Sequence, residues 1–311
     1  MKKDFLTLTD LTRDEAEGLL LRAAEFKAKR HHGSARQPLL GKSVAMIFLK
    51  SSTRTRVSFE VGIRELGGYP VVLSKDGSQM GRGEPWKDTA RVLSGYVHGI
   101  VIRAFDHAEV EELARFSAVP VINALTDRFH PCQVLADVFT LQEAGILTPG
   151  LCLAFIGDGN NNMVHSWITA ATLFDLQLRV ACPAGYGPDP ALVAAAGSAV
   201  KVLEDPQQAA AGADVLYTDV WVSMGQEEEK AERERSFRGY QINSDLIARA
   251  RPAVRIMHCL PAHRGQEITE EALEGPHSLV FAQSENRLHV QKAILERLLG
   301  GQTFMSVKGC G

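Results

Sequence analysis

The chain has 311 residues, of which 45% are hydrophobic and 23% are charged, and its formal net charge is −3. This length suits two domains of about 150 residues each, and the balanced charge disfavours a nucleic-acid-binding protein or a disordered tail. The five cysteines are scattered, and no apolar run approaches the roughly 18 residues of a membrane span. We therefore expect a cytoplasmic protein that binds small molecules and neither nucleic acid nor membrane.

The first half of the chain alternates helix and strand patterns. Thr12-Arg13-Asp14-Glu15 has the form of a capping box and predicts the start of a helix. Residues 44–49 form an apolar run typical of a strand that is buried on both faces. Shorter apolar runs lie at 71–73, 100–102 and 119–122, with helix-like segments at 84–97 and 108–117. This order predicts an α/β domain with a parallel sheet.

The second half repeats this alternation after a predicted helix that begins at Pro131 and ends near Gly145. Strands are predicted at 151–156, 178–181, 215–217 and 254–257, and a last amphipathic helix at 288–299. We therefore predict an α/β fold of two doubly wound parallel-sheet domains, with the active site in the cleft between them. The predicted boundaries are 1–143 and 144–287, with a C-terminal helix, 288–311, that packs back on the first domain.

The segment Ser51-Ser52-Thr53-Arg54-Thr55-Arg56 directly follows the first predicted strand and opens a helix. Free backbone N–H groups at such a junction, with hydroxyls and guanidinium groups beside them, suit a bound phosphate. The alternative is an ordinary N-cap with solvated arginines.

Arg103, His130 and Gln133 stand where later predicted strands end. Because strand ends in doubly wound sheets converge on one crevice, these side chains can meet the 52–55 turn around one ligand. A guanidinium, an imidazole and a carboxamide suit a ligand with a carbonyl and an amide N–H beside a phosphate.

These residues resemble the carbamoyl-phosphate-binding set of the aspartate and ornithine carbamoyltransferases, in the family's order and over nearly the whole chain. The resemblance implies that the phosphate binds Ser52, Thr53, Arg54 and Thr55, with help from Arg103. It places the carbamoyl oxygen against Thr55, Arg103 and His130, and the carbamoyl nitrogen against Gln133.

Two later segments resemble the ornithine branch of the family, Asp219-Val220-Trp221-Val222-Ser223-Met224-Gly225 and Met257-His258-Cys259-Leu260-Pro261. The resemblance assigns the α-amino and α-carboxylate groups of ornithine to Asn162, Asp219, Ser223 and Met224. It places Cys259 and Leu260 at the carbamoyl and δ-amine end, and Arg287 as the arginine that completes the carbamoyl phosphate site.

The resemblance implies carbamoyl transfer from carbamoyl phosphate to the δ-amine of L-ornithine, which gives L-citrulline and phosphate. Putrescine or N-acetylornithine remain alternative acceptors. The expected catalytic residues are Arg103, His130, Asp219 and Cys259. The resemblance also implies a homotrimer, or an assembly of trimers, in which a loop containing Gln79 reaches the carbamoyl phosphate site of the adjacent subunit.

Other interpretations of these residues remain open. Asp219 and Ser223 could be loop residues that bond their own backbone, and Cys259 could be a small buried apolar residue. His258, Cys259 and His263 could be metal ligands, but no fourth ligand has suitable spacing, so we predict no metal. The run 156–162 departs from the dinucleotide-binding fingerprint, so we predict no NAD and no other cofactor. An inactive binding homologue is the last alternative.

Overall fold

The computed structural model describes residues 2–30, 36–50, 52–74, 83–222 and 227–301. The chain divides into two units, one made of Met1–Phe139 with Glu285–Gly311 and the other of Thr140–Ser284. None of the helices in these described ranges combines the length and the apolar character needed to cross a bilayer.

The first unit contains a parallel sheet of four strands in the order β2-β1-β3-β4. The strands are β1 Ser43–Phe48, β2 Tyr69–Ser74, β3 Gly99–Arg103 and β4 Val121–Leu125. The strand order reverses between β1 and β3, where Phe48 lies opposite Arg103. Ligands of doubly wound sheets bind at the carboxyl ends of strands beside such a reversal. We therefore expect a ligand-binding site at the segments that follow β1 and β3.

Helices surround this sheet. They are α1 Arg13–Lys29, α2 Thr53–Glu65, α3 Trp86–Ser94 and α4 His107–Phe116, with parts of α5 Pro131–Glu143 and α12 Val280–Leu299. Thr12 caps α1 in the predicted capping box, since its side chain accepts from the Glu15 N–H while the Glu15 carboxylate accepts from the Thr12 N–H. Ile47 of β1 and Ile102 of β3 pack in one core cluster with Val110 of α4.

The second unit contains five parallel strands in the order β7-β6-β5-β8-β9. The strands are β5 Cys152–Ile156, β6 Gln177–Ala181, β7 Val200–Leu203, β8 Val215–Thr218 and β9 Arg255–His258. The helices are α6 Asn162–Leu173, α7 Pro190–Ala196, α8 Pro206–Ala210, α9 Lys230–Ser236, α10 Ser244–Arg249 and α11 Glu270–Glu274. Here the order reverses between β5 and β8. Gly157, at φ +137°, follows β5, and a Cβ there would lie 3.4 Å from the Thr218 hydroxyl oxygen at the end of β8.

The prediction of two parallel-sheet α/β domains is confirmed, while three element predictions need correction. The strand predicted at 119–122 begins after Pro120, which has no N–H to donate, and runs to Leu125. Strand β7 was not predicted. It is an edge strand with exposed Lys201 and Val202, so it lacks the continuous apolar run of a buried strand. The last helix begins at Val280 rather than at residue 288.

Candidate active site

The first unit brings Ser52 and Arg103 together at the strand reversal. Ser52 follows β1 and is the N-cap residue of α2, while Arg103 ends β3 on the neighbouring strand. The Arg103 Nη1 donates a hydrogen bond of 2.8 Å to the Ser52 Oγ. Two residues that lie 51 positions apart in the chain therefore share one site, as the crevice argument predicts.

Arg287 reaches the same turn from α12. Its Nη2 donates a hydrogen bond of 2.6 Å to the Thr55 Oγ1, and both side chains are buried. Thr55 lies in the first turn of α2, close in sequence to Ser52. The first turn of α2 therefore carries hydroxyl groups that two buried guanidinium groups contact.

Gln133 offers an unused acceptor near the start of α5. The backbone carbonyl of His130 accepts from the Gln133 N–H, which begins the helix at this point. The Gln133 Nε2 donates to the Asp137 Oδ1 at 2.8 Å, one turn later. Its Oε1 is buried and receives no hydrogen bond from the residues that the structure describes. A buried amide oxygen of this kind suits a ligand that brings its own N–H donors.

The site in the first unit is strongly positive. Burial, followed by the charges of Arg287 and Arg54, lowers the pKa of Arg103 to about 10. Burial, followed by Arg287 and Arg103, lowers the pKa of His130 well below its ordinary value. Near neutral pH, Arg103 is therefore charged and His130 is neutral. Clustered guanidinium groups attract a dianion, and a neutral imidazole can donate a hydrogen bond to a carbonyl oxygen.

In the second unit, Asp219 and Cys259 meet at the ends of two adjacent strands. Asp219 follows β8 and Cys259 follows β9, which pair in parallel with Thr218 opposite His258. The Cys259 thiol donates to the Asp219 Oδ1 with an Sγ to Oδ1 distance of 3.0 Å. Both residues are half-buried. The same carboxylate oxygen accepts from the Val220 N–H, so Asp219 bonds its own backbone as well as the thiol.

A buried pair supports the backbone after Cys259. Leu260 has φ +59°, a left-handed conformation that is costly for a branched side chain. Its N–H donates to the His258 Nδ1 at 2.8 Å, which leaves the proton of a neutral imidazole on Nε2, 3.1 Å from the Glu267 Oε1. The side chains of His258 and Glu267 are fully buried. Glu267 could not be identified from the sequence, because nothing in its spacing marks it as a partner of His258.

A second buried pair joins the segments that follow β5 and β8. Arg233 of α9 donates from Nη1 to the Asp158 Oδ2 at 2.8 Å and to the Trp221 carbonyl at 3.1 Å. Asp158 lies four residues before Asn162, the first residue of α6, and Trp221 lies two residues after Asp219. Burial raises the pKa of Asp158, and Arg233 opposes that rise. This pair was not predicted from the sequence either.

Asp219, His258 and Cys259 form a group of possible metal ligands, with ligand atoms within 4.8 Å of one another in the described part of the chain. The group contains Asp219 in place of the His263 considered from the sequence. Both imidazole nitrogens of His258 already contact protein groups, the Leu260 N–H and the Glu267 carboxylate. The prediction that the site needs no metal stays a prediction.

Three predicted site residues, Gln79, Ser223 and Met224, lie outside the described residues. Of the others in the first unit, Thr53 is exposed and Arg54 is half-buried. In the second unit, Asn162 begins α6 after β5, so it follows a strand that neighbours β8.

Comparison with known proteins supports a single family over both units. The family model described as the aspartate/ornithine carbamoyltransferase carbamoyl-P binding domain matches residues 3–143. The model of the Asp/Orn binding domain of the same family matches residues 149–298.

Similar proteins match the chain over nearly its whole length. The ornithine carbamoyltransferase of Syntrophotalea carbinolica is 55% identical over 302 residues, which cover 96% of this chain and 100% of that protein. The ornithine carbamoyltransferase of Methanoculleus marisnigri is 52% identical over 304 residues, which cover 97% of this chain and 98% of that protein. Among solved structures, the ornithine carbamoyltransferase from Pyrococcus furiosus matches with a TM-score of 0.92 and 46% identity, over 97% of this chain and 98% of that chain.

Proposed function

The chain belongs to the aspartate/ornithine carbamoyltransferase family, and from that premise we propose that it transfers the carbamoyl group of carbamoyl phosphate to the δ-amine of L-ornithine, giving L-citrulline and phosphate. The observation that carries the proposal is the full-length similarity to proteins named ornithine carbamoyltransferase at 50–55% identity. The cationic site of the first unit and the thiol–carboxylate pair of the second unit are the groups that this chemistry needs.

The first unit is proposed to bind carbamoyl phosphate. The phosphate lies on the first turn of α2, at Ser52, Thr53, Arg54 and Thr55, with Gln79 supplied by a neighbouring subunit. Arg103 and Arg287 neutralise its charge, and the pKa of Arg103, about 10, keeps that guanidinium charged near neutral pH. The neutral His130, with Thr55 and Arg103, polarises the carbamoyl oxygen, while the Gln133 Oε1 accepts from the carbamoyl N–H.

The second unit is proposed to bind ornithine through Asn162, Asp219, Ser223 and Met224. Cys259 and Leu260 lie at the δ-amine end. The δ-amine resembles a lysine amine, so it is protonated near neutral pH and must lose a proton before it can attack. Asp219 and Cys259 are the groups proposed to orient the amine and take part in that proton loss.

The transfer then proceeds without a covalent enzyme intermediate. The amine nitrogen bonds to the carbamoyl carbon, and the carbonyl electron pair moves onto oxygen, where Thr55, Arg103 and His130 stabilise the oxyanion. The carbon–oxygen bond to phosphate breaks as the carbonyl reforms. The departing phosphate takes up the proton that the nitrogen loses. That the active site lies between the two domains stays a prediction.

The test is an acceptor panel with carbamoyl phosphate. L-ornithine, putrescine, N-acetylornithine and aspartate are compared by kcat/KM, with product identified by mass. We expect a preference for ornithine of about 100-fold or more, since putrescine lacks the α-carboxylate and N-acetylornithine lacks the free α-amine. Higher kcat/KM with another acceptor would replace ornithine, and no product with any acceptor would reject the activity.

We also propose a homotrimer, or an assembly of trimers, whose sites are shared between subunits. A threefold ring of heterologous contacts can close, so that each site combines Arg103 from one chain with Gln79 from the next. The variants Gln79→Ala and Arg103→Ala are expected to be inactive as pure oligomers. Refolding them together should restore activity, because a mixed trimer contains one site with both residues intact. No recovery despite proven mixing would show that each chain builds its own site.

The enzyme is proposed to work in the reducing cytoplasm. Cys132, Cys152, Cys182 and Cys259 are free thiols among the described residues. A disulfide at Cys259 would remove the thiol that contacts Asp219. Mass spectrometry of thiols alkylated during cell lysis should find Cys259 reduced.

A further inference from the structure

Helix α12 contacts α2 at the active-site turn and at two points beyond it. Arg287 contacts Thr55, Leu288 lies beside Gly62, and Lys292 contacts Glu65. The contacts occur in the same order along both helices. The two helices therefore run in the same direction, and the contact that reaches the proposed carbamoyl phosphate site lies at one end of this series.

Gly62 permits the close approach of the two helices. A Cβ at this position would lie 3.2 Å from the Lys292 Cγ and 3.5 Å from the Leu288 Cδ1. The first distance is tighter than ordinary van der Waals contact, so a methyl group here would require the Lys292 side chain to move by a few tenths of an ångström. A glycine inside a helix is otherwise unfavourable compared with alanine, which indicates that its small size serves the packing.

An ion pair fixes α12 one turn beyond this contact. The Lys292 Nζ donates to the Glu65 Oε2 at 2.6 Å, and the lysine side chain is only 4% exposed. Burial acts to raise the pKa of Glu65, but Lys292 and Arg30 hold it below its ordinary value. The Lys292 ammonium lies 4.7 Å from the centre of the Phe26 ring. A nearly buried ammonium cannot easily exchange its carboxylate partner for water.

We propose that Gly62, Glu65 and Lys292 are positioning residues for carbamoyl phosphate, because they fix α12 against α2 and so hold the Arg287 guanidinium at Thr55. This inference rests on the proposed function, since it takes Thr55 and Arg287 as ligands of carbamoyl phosphate. None of the three is among the proposed ligands of carbamoyl phosphate. They act on affinity for one substrate through the placement of one guanidinium group.

The charge test uses Glu65→Gln and Lys292→Met in the full-length enzyme. We expect each to raise KM for carbamoyl phosphate about tenfold, with KM for ornithine and kcat changed by less than about twofold. The double variant should be no worse than the worse single variant, because both substitutions remove the same pair. Glu65 is only half-buried, so we expect Glu65→Gln to fold. This variant therefore still tests the proposal if Lys292→Met does not fold.

Two matched controls separate this role from a general loss of charge. Glu60→Gln removes a carboxylate from the same helix, but Glu60 pairs only with Arg56 and Arg64 of α2 in the described structure. Arg30→Gln removes the other partner of Glu65 and leaves the contact with Lys292 in place. Both controls should keep the wild-type KM for carbamoyl phosphate.

The steric test is Gly62→Ala, with Gly18→Ala as its control. A Cβ at Gly18, in α1, would meet nothing within 4 Å. We expect Gly62→Ala to raise KM for carbamoyl phosphate severalfold, and Gly18→Ala to leave it unchanged.

Three results would overturn the inference: an unchanged KM for carbamoyl phosphate in both charge variants, a parallel rise in both KM values, or additive effects in the double variant. Failure of the proposed function is seen separately, because it appears as a wild-type enzyme that forms no citrulline.

Discussion

At the scale of single residues, the surroundings of Arg103 fit the role in both binding and catalysis that we propose for its guanidinium group. Arg103 is 7% exposed and donates to Ser52. Its pKa, lowered to about 10 by burial and by two other arginines, still leaves it charged at neutral pH. In the proposed mechanism, a buried positive charge of this kind stabilises the transition state, in which negative charge develops on the carbamoyl oxygen, more than the ground state.

Replacing Arg103 by alanine should therefore lower kcat by about 100-fold or more, beyond any loss of carbamoyl phosphate affinity. The measurement is the initial rate at saturating concentrations of both substrates. Arg64→Ala is the matched control, because Arg64 is exposed on α2 and pairs with Glu60 on the same helix. If Arg103→Ala kept the wild-type kcat at saturation, Arg103 would have no role in the chemical step.

Asp219 should act on the acceptor side alone. Replacing it by asparagine removes the carboxylate that accepts a hydrogen bond from the Cys259 thiol, so we expect kcat/KM for ornithine to fall about 100-fold. The KM for carbamoyl phosphate should change by less than about threefold. Asp245→Asn, at an exposed position of α10, is the control. An equal loss of affinity for both substrates would contradict this assignment.

Individual residues also show which contacts could be predicted from the sequence and which could not. Ser52 and Arg103 could be placed together because strand ends converge, and the structure joins them. Arg287, which contacts Thr55, was identified only by resemblance, since 232 residues separate them and no spacing rule connects α12 to α2. Arg233 lies in the stretch Lys230-Ala231-Glu232-Arg233-Glu234-Arg235, which has the pattern of a solvated helix. Charge pattern alone does not reveal which arginine of such a stretch is buried.

At the scale of elements, one buried arginine of α9 connects two segments of the proposed ornithine site. Arg233 contacts Asp158 after β5 and the Trp221 carbonyl after β8, and its guanidinium carbon lies 5.1 Å from the centre of the Tyr186 ring. The segments that it joins carry Asn162 and Asp219. We therefore expect the position of the proposed ornithine ligands to depend on a pair that is not itself among those ligands.

Arg233→Met should leave the Asp158 carboxylate buried without its guanidinium partner. We expect a loss of about 3 kcal/mol in the free energy of unfolding, measured with urea, and a raised KM for ornithine. Arg235→Met is the control, since Arg235 is exposed two residues along the same helix. Adding Asp158→Asn to Arg233→Met should recover part of the lost stability, because no unpaired charge remains. A double variant less stable than Arg233→Met would argue against this account.

Helices and strands were predictable where the local sequence pattern and the burial of the residues indicate the same element. The capping box at Thr12 and the buried run in β1 were both confirmed. The start of α12 was missed because Gln283 and Asn286 are polar yet fully buried, with hydrogen bonds to Tyr217 and Lys27. A pattern of apolar positions does not detect a helix that buries amides, and it does not show which tertiary partners satisfy them.

At the scale of the whole molecule, the net charge does not indicate the cluster of arginines in the first unit. The net charge of −3 disfavours a polyanion-binding surface, whereas in the first unit the charges of Arg54 and Arg287 both act on Arg103. A small dianion needs only a few converging donors, so a site for it does not require a positive net charge on the whole chain. A separate feature, the burial of several histidines, makes the stability of the folded chain sensitive to acid.

His107, His130 and His289 all have a pKa below the ordinary value, with burial as the largest cause in each. For His289 the value is about 4; the charges of Lys292 and Lys27 lower it further, while Glu285, 3.6 Å from its Nε2, opposes them. Between pH 6.5 and about 4, the unfolded chain therefore binds protons that the folded chain does not. The contribution of these histidines to stability is fully present above pH 6.5 and is lost as the pH falls through this window.

The prediction is that wild-type Tm and unfolding free energy fall steadily from pH 7 to pH 4, and that His289→Gln reduces this fall. Glutamine is polar and of similar size but does not titrate. After allowance for solvent screening, we expect the variant to lose about 2 kcal/mol less than wild type over this range. Urea unfolding at half-unit steps of pH measures the difference, with circular dichroism at pH 7 as the check that the variant is folded. Parallel curves for the two proteins would mean that His289 is protonated as readily in the folded chain as in the unfolded one.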